Sequence, residues 1–192
     1  MRIHASFPGG NIRVLGISGD TVRLAPDLRG TQIDWFYWSF CVEGAQGRTL
    51  TFDFAPKAWV GYFGAAVRRE GEDWTWTDTA GPDRTGFAYA FGPSEDRVFF
   101  CHDLHYAPER FEALARRLPV MAFPFARSRA GREVPAVVCG EGEDWLILSS
   151  RHHCCESTGT YVMEGMLEEF AARPIPGLRL LAVPFMDLDG VV

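Results

Sequence analysis

The strongest constraint on the fold of this chain is its punctuation. Through the first hundred residues, short alternating or aromatic-rich runs occupy 11–17, 21–24, 32–42, 49–54, 59–69, 73–77, 84–92 and 97–101. Between them stand Gly16 and Gly19, Pro26, Gly30, Gly44 and Gly47, Pro56, Gly71, Gly81-Pro82 and Gly92-Pro93. Chain interrupted this often has no room for long helices. Short strands with turn signals about every ten residues predict two packed antiparallel sheets, a β-sandwich. The longest run, 34–42, sets Trp35, Tyr37, Ser39 and Cys41 on one face and Phe36, Trp38, Phe40 and Val42 on the other. Both faces are apolar enough for a central strand.

After residue 105 the period changes. Phe111, Leu114, Ala115 and Leu118 fall at helical spacing behind Pro108 and Glu109, which suit a first turn, so 109–118 reads as a helix. Two short strands follow at 134–139 and 145–149. Ser157 or Thr158 then caps a helix whose Val162, Met163, Met166, Leu167 and Phe170 form one apolar stripe, ended by Pro174 and Pro176-Gly177. The nearly unbroken apolar run 178–185 reads as a buried strand. Strand, helix and buried strand make a βαβ unit with an expected right-handed crossover. The expected division is a β-sandwich over 1–105 and an α/β part over 106–192.

Composition removes several classes. Apolar residues at 47% against 23% charged supply a core and exclude global disorder. With 19 basic and 25 acidic residues and no basic stripe, no nucleic-acid partner is expected. No run reaches the ~18–20 apolar residues of a membrane span, and the first ten residues hold no secretory pattern. Five cysteines, two of them the adjacent Cys154 and Cys155, argue for reduced thiols. The expectation is a cytoplasmic protein with neither membrane nor nucleic-acid partner.

The chemistry gathers in the turn between 145–149 and the second helix, which reads Arg151-His152-His153-Cys154-Cys155-Glu156-Ser157-Thr158. In open α/β sheets, ligands bind beyond the carboxyl ends of strands, and this turn lies at such an end. His153 and Glu156, three residues apart, can share one side of a turn and reach one metal ion. The bland alternative is a capping glutamate beside a packed histidine. A rival reading takes 152–155 as four zinc ligands, but adjacent residues in a turn cannot all face one tetrahedral ion, which disfavours it. Cys154 and Cys155 read as small buried fillers, with a nucleophilic cysteine beside histidine as the other option.

The segment 146–157, followed by Tyr161-Val162-Met163-Glu164-Gly165, resembles the first metal-ligand motif of the M14 zinc carboxypeptidases, closest to their cytosolic carboxypeptidase-like branch and its bacterial members. Phe99-Phe100-Cys101-His102-Asp103-Leu104-His105-Tyr106 resembles the exit from that branch's N-terminal sandwich, and Trp35-Phe36-Tyr37-Trp38 resembles an aromatic strand within it. Residues 183–191 resemble the strand and Asp-Gly turn before the family's substrate-binding loop. What the resemblance implies is a zinc metallocarboxypeptidase acting on a peptide or protein C-terminus, with His153 and Glu156 as the first two zinc ligands. Arg151 and His152 would support or pack beside them.

In that family the third ligand, a histidine, lies downstream of the Asp-Gly turn, as do the general-base glutamate and the groups that grip the substrate carboxylate. No catalytic residue is therefore expected in these 192 residues, and the chain alone is expected to be inactive. A homo-oligomer contact or the missing C-terminal half is expected to cover the exposed sheet. The competing reading is a non-catalytic binding module that uses Trp35, Trp38, Trp59, Tyr62, Trp74 and Trp76 as a stacking platform.

Overall fold

The computed structural model describes residues 1–29, 31 and 33–192; Gly30 and Gln32, the latter opening the expected 32–42 strand, lie outside the described residues. The chain divides into two compact units, Met1–His105 and Tyr106–Val192. The first holds strands β1 (Arg2–His4), β2 (Arg13–Ser18), β3 (Thr21–Ala25), β4 (Ser39–Glu43), β5 (Thr49–Asp53), β6 (Ala66–Arg69), β7 (Thr75–Trp76), β8 (Gly86–Ala90) and β9 (Arg97–Cys101). They form two sheets, ordered β1-β4-β9-β6-β7 and β2-β3-β5-β8. The sandwich expected from the sequence is present, and within it β3 and β5 run parallel.

Alternation explains its core. Phe40 and Val42 on β4 and Val98 and Phe100 on β9 point inward against Leu50 and Phe52 on β5 and Phe87 on β8, all buried. Phe100 joins the sheets, its ring centroid 5.2 Å from Phe52 and 5.5 Å from Phe87. Such pairs add about 0.5–1.5 kcal/mol beyond burial.

Several expected strands are shorter than the residue pattern predicts; of 73–77 only Thr75–Trp76 is strand, and two longer runs show why. Of 34–42, only 39–42 is strand, the opening of β4 (Ser39–Glu43). Trp38 is still fully buried: its ring stacks on Phe54 and Phe87, and its Nε1–H donates to the Trp59 carbonyl at 2.9 Å. A side chain with its own partners can seat a residue in the core without a ladder. Of 59–69, only Ala66–Arg69 is strand. Gly61 and Gly64 close a tight turn there, leaving Tyr62 and Phe63 exposed at its tip.

The second unit contains α1 (Pro108–Arg117), β10 (Met121–Arg127), β11 (Glu133–Cys139), β12 (Gly142–Ser149), α2 (Thr158–Ala172), β13 (Gly177–Val183) and a short α3 (Leu188–Val191). Its sheet order is β10-β11-β13-β12. β12 and β13 pair in parallel and are joined through α2, which is the βαβ unit; β11 is antiparallel to β13. β10 is not signalled by the residue pattern, since Pro124 interrupts its run. It survives as an edge strand with a bulge between Pro124 and Ala126, where a missing N–H is tolerated.

The expected α2 stripe is partly rotated. Thr160, Met163, Glu164, Leu167 and Phe170 face inward, whereas Val162 and Met166 are exposed. The inward set keeps the i, i+3, i+4, i+7 rule, and the outward pair lies one flank away. Glu164 on this inner face is held by Arg110 of α1, whose Nε and Nη2 donate to its two carboxylate oxygens at 2.9 and 2.8 Å.

Burial acts to raise the Glu164 pKa, but the hydrogen bonds from Arg110 and the charges of Arg110 and Arg117 win and hold it below the ordinary value. A depressed folded pKa contributes stability above the unfolded pKa, lost as pH falls through the folded one. Thermal midpoints measured from pH 7 to pH 3 are therefore expected to fall more for wild type than for Glu164→Gln. At pH 7 the variant should be less stable by about 1–3 kcal/mol, the partner Arg110 being partly solvated.

Candidate metal centre

The loop between β12 and α2 is fastened on both sides. Beyond the last β12–β13 pair, the Ser150 amide donates to the Val183 carbonyl at 3.1 Å, Met186 to that of Ser150 at 3.0 Å and Asp187 to that of Arg151 at 2.9 Å. The buried Ser150 hydroxyl donates to the Pro184 carbonyl at 2.7 Å and lies 3.0 Å from Thr160 Oγ1. The Asp-Gly turn thereby sits against the loop. Gly190 is required at that contact, since a Cβ there would lie 2.6 Å from Cys154 Cβ and 2.8 Å from its sulfur.

Arg151 organises the loop from within. It is 2% exposed and has φ +55°, a left-handed conformation unusual for a side-chain-bearing residue. Its Nε donates to the Cys154 carbonyl at 2.7 Å, and its Nη1 to Ser157 Oγ at 2.8 Å and to the Tyr106 carbonyl at 3.3 Å. The Ser157 hydroxyl is thus committed to Arg151 and does not cap α2, contrary to the capping expectation. His152 turns the other way, its Nε2 lying 3.3 Å from Ser149 Oγ.

Arg151 therefore leaves His153 and Glu156 free to converge. The Glu156 amide donates to the His153 carbonyl at 3.1 Å, closing a turn. Their side chains meet above it, His153 Nδ1 lying 2.9 Å from Glu156 Oε1, with 67% and 59% of the side chains exposed. Bonds of about 2.0–2.2 Å from nitrogen and oxygen to zinc place neighbouring tetrahedral ligands about 3.3 Å apart, so these two atoms fit a shared ion after a few tenths of an ångström of adjustment. Among the described residues, no third His, Cys, Asp or Glu ligand joins them. Cys155 is buried beside this pair and Cys154 half-buried. Burial, aided by the Asp187 charge, raises the Cys154 thiol, which keeps it protonated at neutral pH and weakens it as a nucleophile.

The aromatic residues do not form one platform. Trp38 is core; Trp35 stacks on Phe36, Trp74 lies beneath Arg68, and Trp76 packs against Phe63. One grouping escaped the sequence reading: His4, Cys41 and Glu43 bring ligand atoms within 4.8 Å of one another. No motif spacing signals it, because the pairing of β1 with β4 creates it. No helix is long and apolar enough to cross a membrane.

The model of the cytosolic carboxypeptidase N-terminal domain matches residues 3–102. A metallo-carboxypeptidase of Burkholderia cenocepacia superposes with a TM-score of 0.82 at 21% identity, covering 100% of this chain and 57% of that one. A Pseudomonas aeruginosa metallo-carboxypeptidase, solved in complex with (2-guanidinoethylmercapto)succinic acid, gives 0.78 at 28% identity, covering 100% of this chain and 56% of its own. An uncharacterised protein of Zymomonas mobilis is 29% identical over 99% of this chain and 54% of its own length. The chain thus spans little more than half the length of these relatives.

The loop geometry makes Arg151 the residue to test. Arg151→Ala should lower stability by about 2–4 kcal/mol in chemical denaturation, because it leaves three buried acceptors without their donor. Arg151→Gly relieves the positive φ yet should remain destabilised by at least about 1 kcal/mol. A glycine variant as stable as wild type would show that the guanidinium bonds contribute nothing net.

Proposed function

This chain belongs to the cytosolic carboxypeptidase N-terminal domain family, and from that premise we propose that it is the N-terminal part of a zinc metallocarboxypeptidase that removes amino acids from peptide or protein C-termini. His153 and Glu156 are its proposed zinc ligands. The observation that carries this reading is their convergence at 2.9 Å, exposed, beyond the carboxyl ends of the parallel strands β12 and β13.

Zinc at this position supplies a Lewis acid that polarises the scissile carbonyl and lowers the pKa of bound water. The chain's own residues hold and orient. Arg151 fixes the loop backbone from which both ligands project, and Ser150 ties that loop to the end of β13. His153 Nδ1 and Glu156 Oε1 are the donor atoms that would hold the ion.

Two protein ligands are fewer than the three of catalytic zinc sites, so the remaining ligand and the groups that bind substrate are assigned to further chain. The relatives' extra length supports this. So does an apolar row across the second unit's sheet, Met121, Val138, Leu181 and Ile147, whose outer members are 63% and 64% exposed. The expected occupant of that row is the remainder of the catalytic domain.

The 192-residue chain should release no C-terminal residue from a peptide panel, as followed by mass spectrometry. A polypeptide of the relatives' length that begins with this chain should do so, and His153→Ala or Glu156→Gln in it should cut kcat/KM by roughly 100-fold or more. Turnover by the short chain with stoichiometric zinc, or full activity in either variant, would sink the assignment.

A further inference from the structure

A second set of ligands lies in the sandwich, on the outer face of its β1-β4-β9-β6-β7 sheet. β1 pairs with β4 so that His4 stands opposite Cys41 and Arg2 opposite Glu43. Residues 41 and 43 share a face by the two-residue period, so His4, Cys41 and Glu43 converge on one spot. The loop after β1 folds Phe7 over it, the Phe7 ring edge-on to His4 at 6.3 Å and to Phe99 at 5.2 Å. Cys41 is consequently fully buried although it points away from the sandwich core.

We propose that His4, Cys41 and Glu43 form a zinc-class metal site that fastens the edge strand β1 to β4, independent of the carboxypeptidase reading. An imidazole nitrogen, a thiolate and a carboxylate suit a borderline-soft divalent ion, with a fourth position left for water. The independent sign is the His4 ring itself. Its Nε2 is buried and makes no hydrogen bond, lying 3.5 Å from Glu43 Oε1. Buried polar atoms are almost always satisfied, and an ion is one way to satisfy this one. Thiolate and carboxylate together neutralise a divalent charge.

Loading has definite costs. Burial, with the Glu43 charge adding, pushes the Cys41 thiol up to about 11, so binding must release its proton to solvent. The Ser6 amide donates to His4 Nδ1 at 3.2 Å, and that local bond must yield when Nδ1 carries the ring proton. Arg97 and Arg2 now accompany Glu43 at 3.3 and 3.7 Å, from side chains 44% and 67% exposed, and both can turn to solvent.

The test is titration of the chain with Co2+, followed by Zn2+ competition. One equivalent should bring visible bands of four-coordination and a near-ultraviolet thiolate charge-transfer band, both abolished by Zn2+. Cys41→Ser should remove the charge-transfer band. Glu43→Gln, at the half-buried rim of the cluster, should weaken Co2+ binding about tenfold or more with unchanged circular dichroism. His153→Ala and Cys154→Ser should leave the band intact. The proposal is overturned by a wild-type chain with no such band, by a band that survives Cys41→Ser, or by one that disappears with Cys154→Ser. Should Cys41→Ser fail to fold, unchanged Co2+ affinity in both Glu43→Gln and His4→Gln overturns it equally.

Discussion

Parallel pairing of β12 with β13 is the constraint on which the second unit depends. A parallel neighbour cannot be reached by a tight turn, so the chain must leave the end of β12, travel back along the sheet and re-enter at the start of β13. α2 makes that return journey. The loop before it is therefore forced to the carboxyl end of the sheet, where Ser150 and Arg151 continue the ladder to Met186 and Asp187. His153 and Glu156 are presented there because the backbone on both sides of them is already committed.

That commitment has a local cost, visible in Arg151 and Ser157. Serine at a helix start would ordinarily accept from the helix's own amides. Here it accepts from a buried guanidinium, and the residue carrying that guanidinium stands in a left-handed conformation. Two local preferences give way to a three-acceptor network. Conflicts of this kind between local and global preference concentrate where a loop must hold a particular shape.

The residue pattern reveals much of this architecture, for reasons that differ by element. β9, α1 and β13 are legible because their burial follows their own period, as with Val98 and Phe100, or Phe111 and Leu114. Segments 34–38 and 59–65 mislead because Trp38 holds its place by ring stacking, Trp59 by an edge-on contact with Phe54, and the Trp38 indole N–H donates to the Trp59 carbonyl, rather than through a ladder. β10 is hidden by Pro124, which only its edge position excuses. His153 and Glu156 are legible as a pair because one turn contains both. Arg151 is not legible as their organiser, since its partners at Tyr106, Cys154 and Ser157 are brought together by the fold.

The two ligand clusters differ in the physical state of their side chains. His153 and Glu156 are more than half exposed, so water solvates them and they satisfy each other; the unit tolerates them with or without an ion. Such a pair places little strain on the chain that carries it and is suited to being completed from outside. His4 and Cys41 are in the opposite situation beneath Phe7, the Cys41 side chain buried and the His4 ring mostly so, with its Nε2 buried and without a hydrogen bond. A buried polar atom without a partner costs about 1–3 kcal/mol, so any ion that enters there acts on the folding free energy of the sandwich itself. By this contrast the exposed pair suits the proposed role of a site completed by further chain, while an ion at His4, Cys41 and Glu43 would act on the stability of a short strand at a sheet edge.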